Sequence, residues 1–127
     1  MKWIPLSAAS LVLLASACGG SGDSALYSLQ KTRQCLSANH VKLGGALDFV
    51  ATTATGGALK ARLPSNVVTI VFGVTAADAD NIDQAYQRFH AKNVGIEDVL
   101  REDRNAVMLW HEHPADADLA EITGCLK

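Results

Sequence analysis

The chain has 127 residues, with 11 basic and 13 acidic side chains and a formal net charge of −2 when histidine is neutral. No basic run or stripe occurs, which sets nucleic acid aside as a partner. The length suits one ordinary domain with its own core.

Lys2 precedes an apolar run centred on Leu11-Val12-Leu13-Leu14. Ala15-Ser16-Ala17 follow, then Cys18 and Gly19-Gly20. A positive start, a short apolar core and small residues are the marks of a secretory signal peptide. The run Ile4–Ala17 is shorter than the roughly 20 residues a membrane-spanning helix needs. Ala15-Ser16-Ala17-Cys18 resembles the lipobox of bacterial lipoproteins, with Leu14 one place ahead of the family's usual leucine. The resemblance covers residues 1–18 only. It implies a signal peptide over residues 1–17 and lipidation of Cys18, with palmitate among the acyl chains. The mature chain is then held on the outer side of the bacterial cell membrane, or on another envelope membrane. Two or more acyl chains give stable anchoring. An ordinary signal peptide cut near Ala17, with Cys18 incidental, is the alternative.

Cleavage there leaves ten basic and thirteen acidic side chains. Three cysteines are an awkward number for an exported protein. With Cys18 carrying lipid, Cys35 and Cys125 remain as a pair, in a compartment where disulfides persist. The closed loop of about 90 residues is worth roughly 4–5 kcal/mol in the chain-entropy treatment. Two separate buried thiols are the alternative.

Residues 18–24 are small and polar and read as a tether. Residues 25–127 read as one globular domain. Asp23 or Ser24 can cap a first helix over Ala25–Asn39. A short apolar piece, Val41–Leu43, follows. Gly44-Gly45 and Gly56-Gly57 bracket Ala46–Thr55, which reads as a short helix ended by glycine. An irregular strand is the alternative, since valine and threonine favour strands.

Ala58–Leu63 and Val67–Val74 read as strands around the turn Pro64-Ser65-Asn66. Thr75 starts a second helix, with Asp78 three residues on as in a capping box. Ala79, Ile82, Tyr86 and Phe89 form its apolar stripe, and it should end near Lys92. Asp98–Glu102 and Ala106–Glu112 read as a second hairpin around Asp103-Arg104-Asn105. Pro114 suits the first position of a third helix. Ala115, Leu119, Ile122 and Leu126 make that helix's apolar face.

Asn66–Phe72 matches Asn105–His111 at an offset of 39 residues, and Ala77–Asp80 matches Ala115–Asp118 at 38. In order, these matches suggest two strand–strand–helix units behind a leading helix. The fold class expected is α+β. It has a mainly antiparallel four-stranded sheet with its helices on one face.

Few motifs carry chemistry. Asp78, Asp80, Asn81 and Asp83 lack the glycine and glutamate of a calcium loop. Carboxylates in the first turn of a helix favour its positive end instead. His111-Glu112-His113 would put both imidazoles on one face of a strand, within reach of a metal. A zinc site wants a third ligand and usually a fourth. His40 and His90 are the remaining histidines. No nucleophile elbow, phosphate loop or Cys-x-x-Cys pair occurs, so no catalytic residue or cofactor is assigned.

Helices on one face would leave the other open. Matching the hairpins through the repeat assigns Val68, Ile70 and Phe72 to the core, leaving Thr69, Val71, Met108 and Trp110 exposed. Methionine and aromatics are enriched at interfaces, so this face is the candidate surface for a protein or small-molecule partner. Alternatively, the insertion Ala46–Thr55 folds over that face and makes Trp110 part of a second small core. The leading functional expectation is a lipid-anchored extracytoplasmic binding or interaction domain. The alternatives are a small exported metal-dependent enzyme using His111 and His113, and a structural envelope lipoprotein.

Overall fold

Two stretches, Val67–Phe72 and Ala106–Trp110, are apolar at almost every position. Both run through the middle of one sheet in the computed structural model, which describes residues 26–90 and 95–127. The chain runs α1 (Leu29–Ala38), β1 (Lys42–Leu43), α2 (Phe49–Thr52), β2 (Ala58–Arg62) and β3 (Val67–Phe72). It continues with α3 (Ala76–Phe89), α4 (Ile96–Val99), β4 (Leu100–Asp103), β5 (Ala106–Trp110) and α5 (Asp116–Gly124). The strands lie in the order β1-β2-β3-β5-β4, and every neighbouring pair is antiparallel. The fold is thus α+β with an open antiparallel sheet. It has five strands rather than four, because Lys42–Leu43 extends the β2 edge.

Helices pack on both faces, not on one. On the first face Leu36 of α1 and Ile122 of α5 cover Leu59, Ala61, Val68, Ile70, Met108 and Trp110. On the second face Ala51 of α2, Ile82 and Tyr86 of α3 and Ile96 of α4 cover Val71, Val107 and Leu100. Each fully buried large apolar side chain contributes roughly 1.5–3 kcal/mol. Strands buried on both sides lose the in–out alternation and read as continuous apolar runs. The two strand–strand–helix units are therefore not equivalent, since α3 lies in the second core and α5 in the first.

The register corrects the assignment of faces. Val68 pairs with Trp110, Ile70 with Met108 and Phe72 with Ala106. Directly opposed residues share a face. Met108 and Trp110 therefore lie with Val68 and Ile70, across the sheet from Thr69 and Val71. The repeat misleads because 39 is odd, and an odd shift exchanges the faces of a strand. The insertion over residues 46–55 does fold onto the second face, where Ala51 is buried. Trp110 belongs to the other core.

Local chemistry explains the element ends. Ser28 caps α1 through Lys31 N–H, and Thr75 caps α3 through Asp78 N–H at 3.1 Å. At the end of α1, His40 N–H donates to the Ser37 carbonyl and Val41 N–H to the Leu36 carbonyl. This is a Schellman motif, with His40 at φ 61° where glycine is usual. Val41 and Leu36 supply its apolar contact within the first core. Pro114 precedes α5 without entering it; Ala115 is the N-cap residue.

The expected Cys35–Cys125 disulfide is present, with the Cα atoms 5.4 Å apart. It ties α1 to the residue that ends α5. The expected signal peptide, Cys18 and the expected tether lie outside the described residues. Among the described residues, no helix is long and apolar enough to cross a membrane.

Candidate functional site

Three cross-strand rows of side chains line the second face. The row Ala58, Val71, Val107 and Glu102 starts beneath α3. The middle row is Lys60, Thr69, Leu109 and Leu100. The last row pairs Lys42 and Arg62 with Val67, and His111 N–H bonds to the Val67 carbonyl. The buried residues of α2, α3 and α4 pack on the first two rows, and a groove follows from there to the last row.

The groove has two halves that share Asp48, Ile96 and Leu109. One, of about 440 Å³, is apolar and is walled by Phe49, Val50, Tyr86, Phe89 and His90. Phe49 and Phe89 stand at its rim, 77% and 68% exposed. The other, of about 480 Å³, is lined by Lys60, Arg62, Val67, Thr69, Val99 and His111, with Trp110 at its border. These volumes fall in the range of small-molecule sites.

Asp48 organises the junction. Its Oδ1 caps α2 by accepting from Ala51 N–H at 2.9 Å. Both of its carboxylate oxygens accept from the Tyr86 hydroxyl, at 2.8 and 3.0 Å. Burial, together with this hydrogen bond and the Asp48 charge, pushes the Tyr86 phenol far above its ordinary value. Tyr86 is a permanent donor, and α2 is thereby tied to α3.

Charge is sorted along the same face. Lys42 and Arg62 are directly opposed on β1 and β2, and Lys60 lies one row away. None of the three makes an ion pair with a described residue. Lys60 Nζ donates to the Ala46 carbonyl at 2.8 Å. At the far end Glu102 stands against Asp80 and Asp83. Partial desolvation first, and then the hydrogen bond and charge of Asp80, push the exposed Glu102 up to about 7.

Thr69 is buried yet lines the groove floor, and Val71 lies under the second core. Met108 and Trp110, expected beside them on an open face, are buried in the first core, Trp110 at 2% exposure. The Trp110 indole N–H has no hydrogen-bond partner among the described residues. His111 and His113 do not share a strand face, because β5 ends at Trp110. There Asn66 Oδ1 accepts from Glu112 N–H and Asn66 Nδ2 donates to the Glu112 carbonyl, turning the chain away. His111 faces the groove, while His113 Nδ1 meets Asp98 Oδ1 of α4 at 2.5 Å. No three His, Cys, Asp or Glu side chains among the described residues are placed to hold a metal ion.

Lys42, Lys60, Arg62 and Asp48 were not singled out by sequence reading. Their signal is faint: alternate basic residues on β2, Lys60 and Arg62, which a helix-covered face would bury. No family model matches the chain, and no curated protein or solved structure matches it.

Proposed function

We propose that this chain is a lipid-anchored, extracytoplasmic binding domain whose working site is the groove on the second sheet face. The observation that carries the reading is the half-covered face itself. Helices cover Val71, Val107 and Leu100 and leave a groove of small-molecule size that runs over Leu109, Thr69 and Lys60 to Arg62 and Val67. An apolar concavity with a few converging polar groups is the usual form of a ligand site.

Anchoring is supported by Ala15-Ser16-Ala17-Cys18, which resembles a lipobox. Tyr27 is bound to Asn105 and Ser28 N–H to the Lys127 carbonyl, at the sheet end marked by Gly73 and Asn105. The Arg62, Val67 and His111 row is at the opposite end of the strands. A strand of five residues spans about 17 Å.

Labelled palmitate incorporation tests the anchor: wild type is labelled and Cys18→Ala is not. Equal labelling of both, or an unmodified mature N-terminus by mass spectrometry, overturns it. Saturable fluorescence enhancement of anilinonaphthalene sulfonate tests the groove. Phe89→Asp, at an exposed rim position, is expected to weaken binding at least fivefold. Unchanged dye binding removes the groove from the proposal.

A further inference from the structure

We infer that the groove takes an amphipathic anion, a molecule with an apolar tail and a carboxylate head, of which a medium-chain fatty acid is the simplest example. This rests on the groove being the binding site and adds the class of ligand.

The cross-strand pair Lys42 and Arg62 carries the inference. Like charges directly opposed across a sheet are destabilising. The chain as a whole is acidic, with 13 acidic against 11 basic side chains, so basic residues are not in general surplus. Yet Lys42, Lys60 and Arg62 gather on one face without an ion pair to any described residue. A bound carboxylate relieves that repulsion. Arginine in particular accepts a carboxylate through two parallel N–H donors.

The apolar half requires the tail. It is continuous with the basic half through Leu109 and Ile96, and Phe49 and Phe89 remain exposed at its rim. Exposed aromatics around a concave apolar surface mark a contact site. The order of the two halves fixes the ligand's direction. Asp48 stands at the junction with its carboxylate already accepting from Tyr86 and Ala51. Lys60 and Arg62 line only the half away from Phe89, and the Asp80 and Asp83 carboxylates disfavour the far end of the same face. The head therefore sits toward Arg62 and the tail toward Phe89.

Photolabelling tests this on the mature full chain in zwitterionic nanodiscs. The probes share one diazirine-bearing eight-carbon tail and end in a carboxylate, an alcohol or a trimethylammonium. Labelled peptides are then mapped by mass spectrometry. The carboxylate is expected to label the peptides holding Val50 and Phe89 at least fivefold more than the other two. Lys60→Gln with Arg62→Gln should cut carboxylate labelling at least fivefold and leave alcohol labelling unchanged. Equal labelling by all three heads overturns the anion while the groove reading stands. No labelling of these peptides by any head overturns both. Loss of labelling with concentration-dependent dimers in sedimentation would make a second copy of the chain the occupant and likewise overturn the inference.

Discussion

Asn105 holds Tyr27 by both of its backbone polar groups. Its Oδ1 accepts from Tyr27 N–H at 2.6 Å and its Nδ2 donates to the Tyr27 carbonyl at 2.9 Å. The same Nδ2 donates to the Gly73 carbonyl at 2.8 Å, and the side chain is 2% exposed. The Tyr27 ring adds a second hold: its hydroxyl donates to Asp103, and the Arg104 guanidinium stacks over it at 5.3 Å. One amide thus closes the start of the domain onto the β4–β5 turn. Asn105→Ala removes three hydrogen bonds from a buried position and should cost about 2–4 kcal/mol. Urea unfolding measures this. A loss below about 1 kcal/mol would mean that water replaces the amide freely.

The disulfide ties α1 to the end of α5. Cys35 and Cys125 close a loop with a sequence separation of 90 residues. Reduction, or the double change to alanine, should lower stability by roughly 2–5 kcal/mol. Unfolding with and without reductant gives the difference. Indistinguishable curves would show that the bridge does not constrain the unfolded chain.

His40 sits in the left-handed region at φ 61° to complete the end of α1. A residue with a Cβ pays roughly 1–2 kcal/mol there, and glycine's greater unfolded freedom offsets part of any gain. His40→Gly should therefore stabilise by about 0.5–1 kcal/mol, a rise of some 3–6 °C in Tm for a domain near this size. A fall in Tm would show that the imidazole makes a compensating contribution.

Much of this architecture was legible, and the failures share one cause. Caps at Thr75, strands on both sides of Pro64-Ser65-Asn66 and the pairing of Cys35 with Cys125 follow from local chemistry and elimination. The faces did not, because the repeat matched Val68 to Val107 while hydrogen bonding matches Val68 to Trp110. The better signal was the lack of alternation in Val67–Phe72 and Ala106–Trp110, which a sheet covered on both sides demands. By contrast β2 alternates Leu59 and Ala61 inward against Lys60 and Arg62. The repeat is real at one kind of position. Asn66 and Asn105 are both buried, and each binds the N–H and carbonyl of one distant residue, Glu112 and Tyr27. The groove was hidden since Lys60, Arg62, Thr69 and His111 come together only through strand register, and Asp48 joins them only through the packing of α2 against α3.

Glu102 gives the molecule a pH-dependent element away from the groove's basic end. Partial desolvation of this exposed side chain and the adjacent Asp80 and Asp83 push it up to about 7, against 4.5 for an unperturbed glutamate. The folded protein holds this proton more tightly than the unfolded chain does. Its contribution to stability is complete below about pH 4.5 and is lost as the pH rises through 7. Glu102→Gln should flatten the stability profile across that window and be more stable than wild type at pH 8. Parallel profiles for the two proteins would place the proton elsewhere.

The groove on the second sheet face is the proposed working site of this domain. Amide chemical-shift mapping of the chain from Cys18 onward during titration with octanoate tests it most directly. Saturable shifts are expected at Val50, Val67, Leu109 and His111, with Tyr27, Ser28, Asn105 and Lys127 unmoved. Shifts concentrated at those four residues of the opposite end, or scattered without saturation, would contradict it.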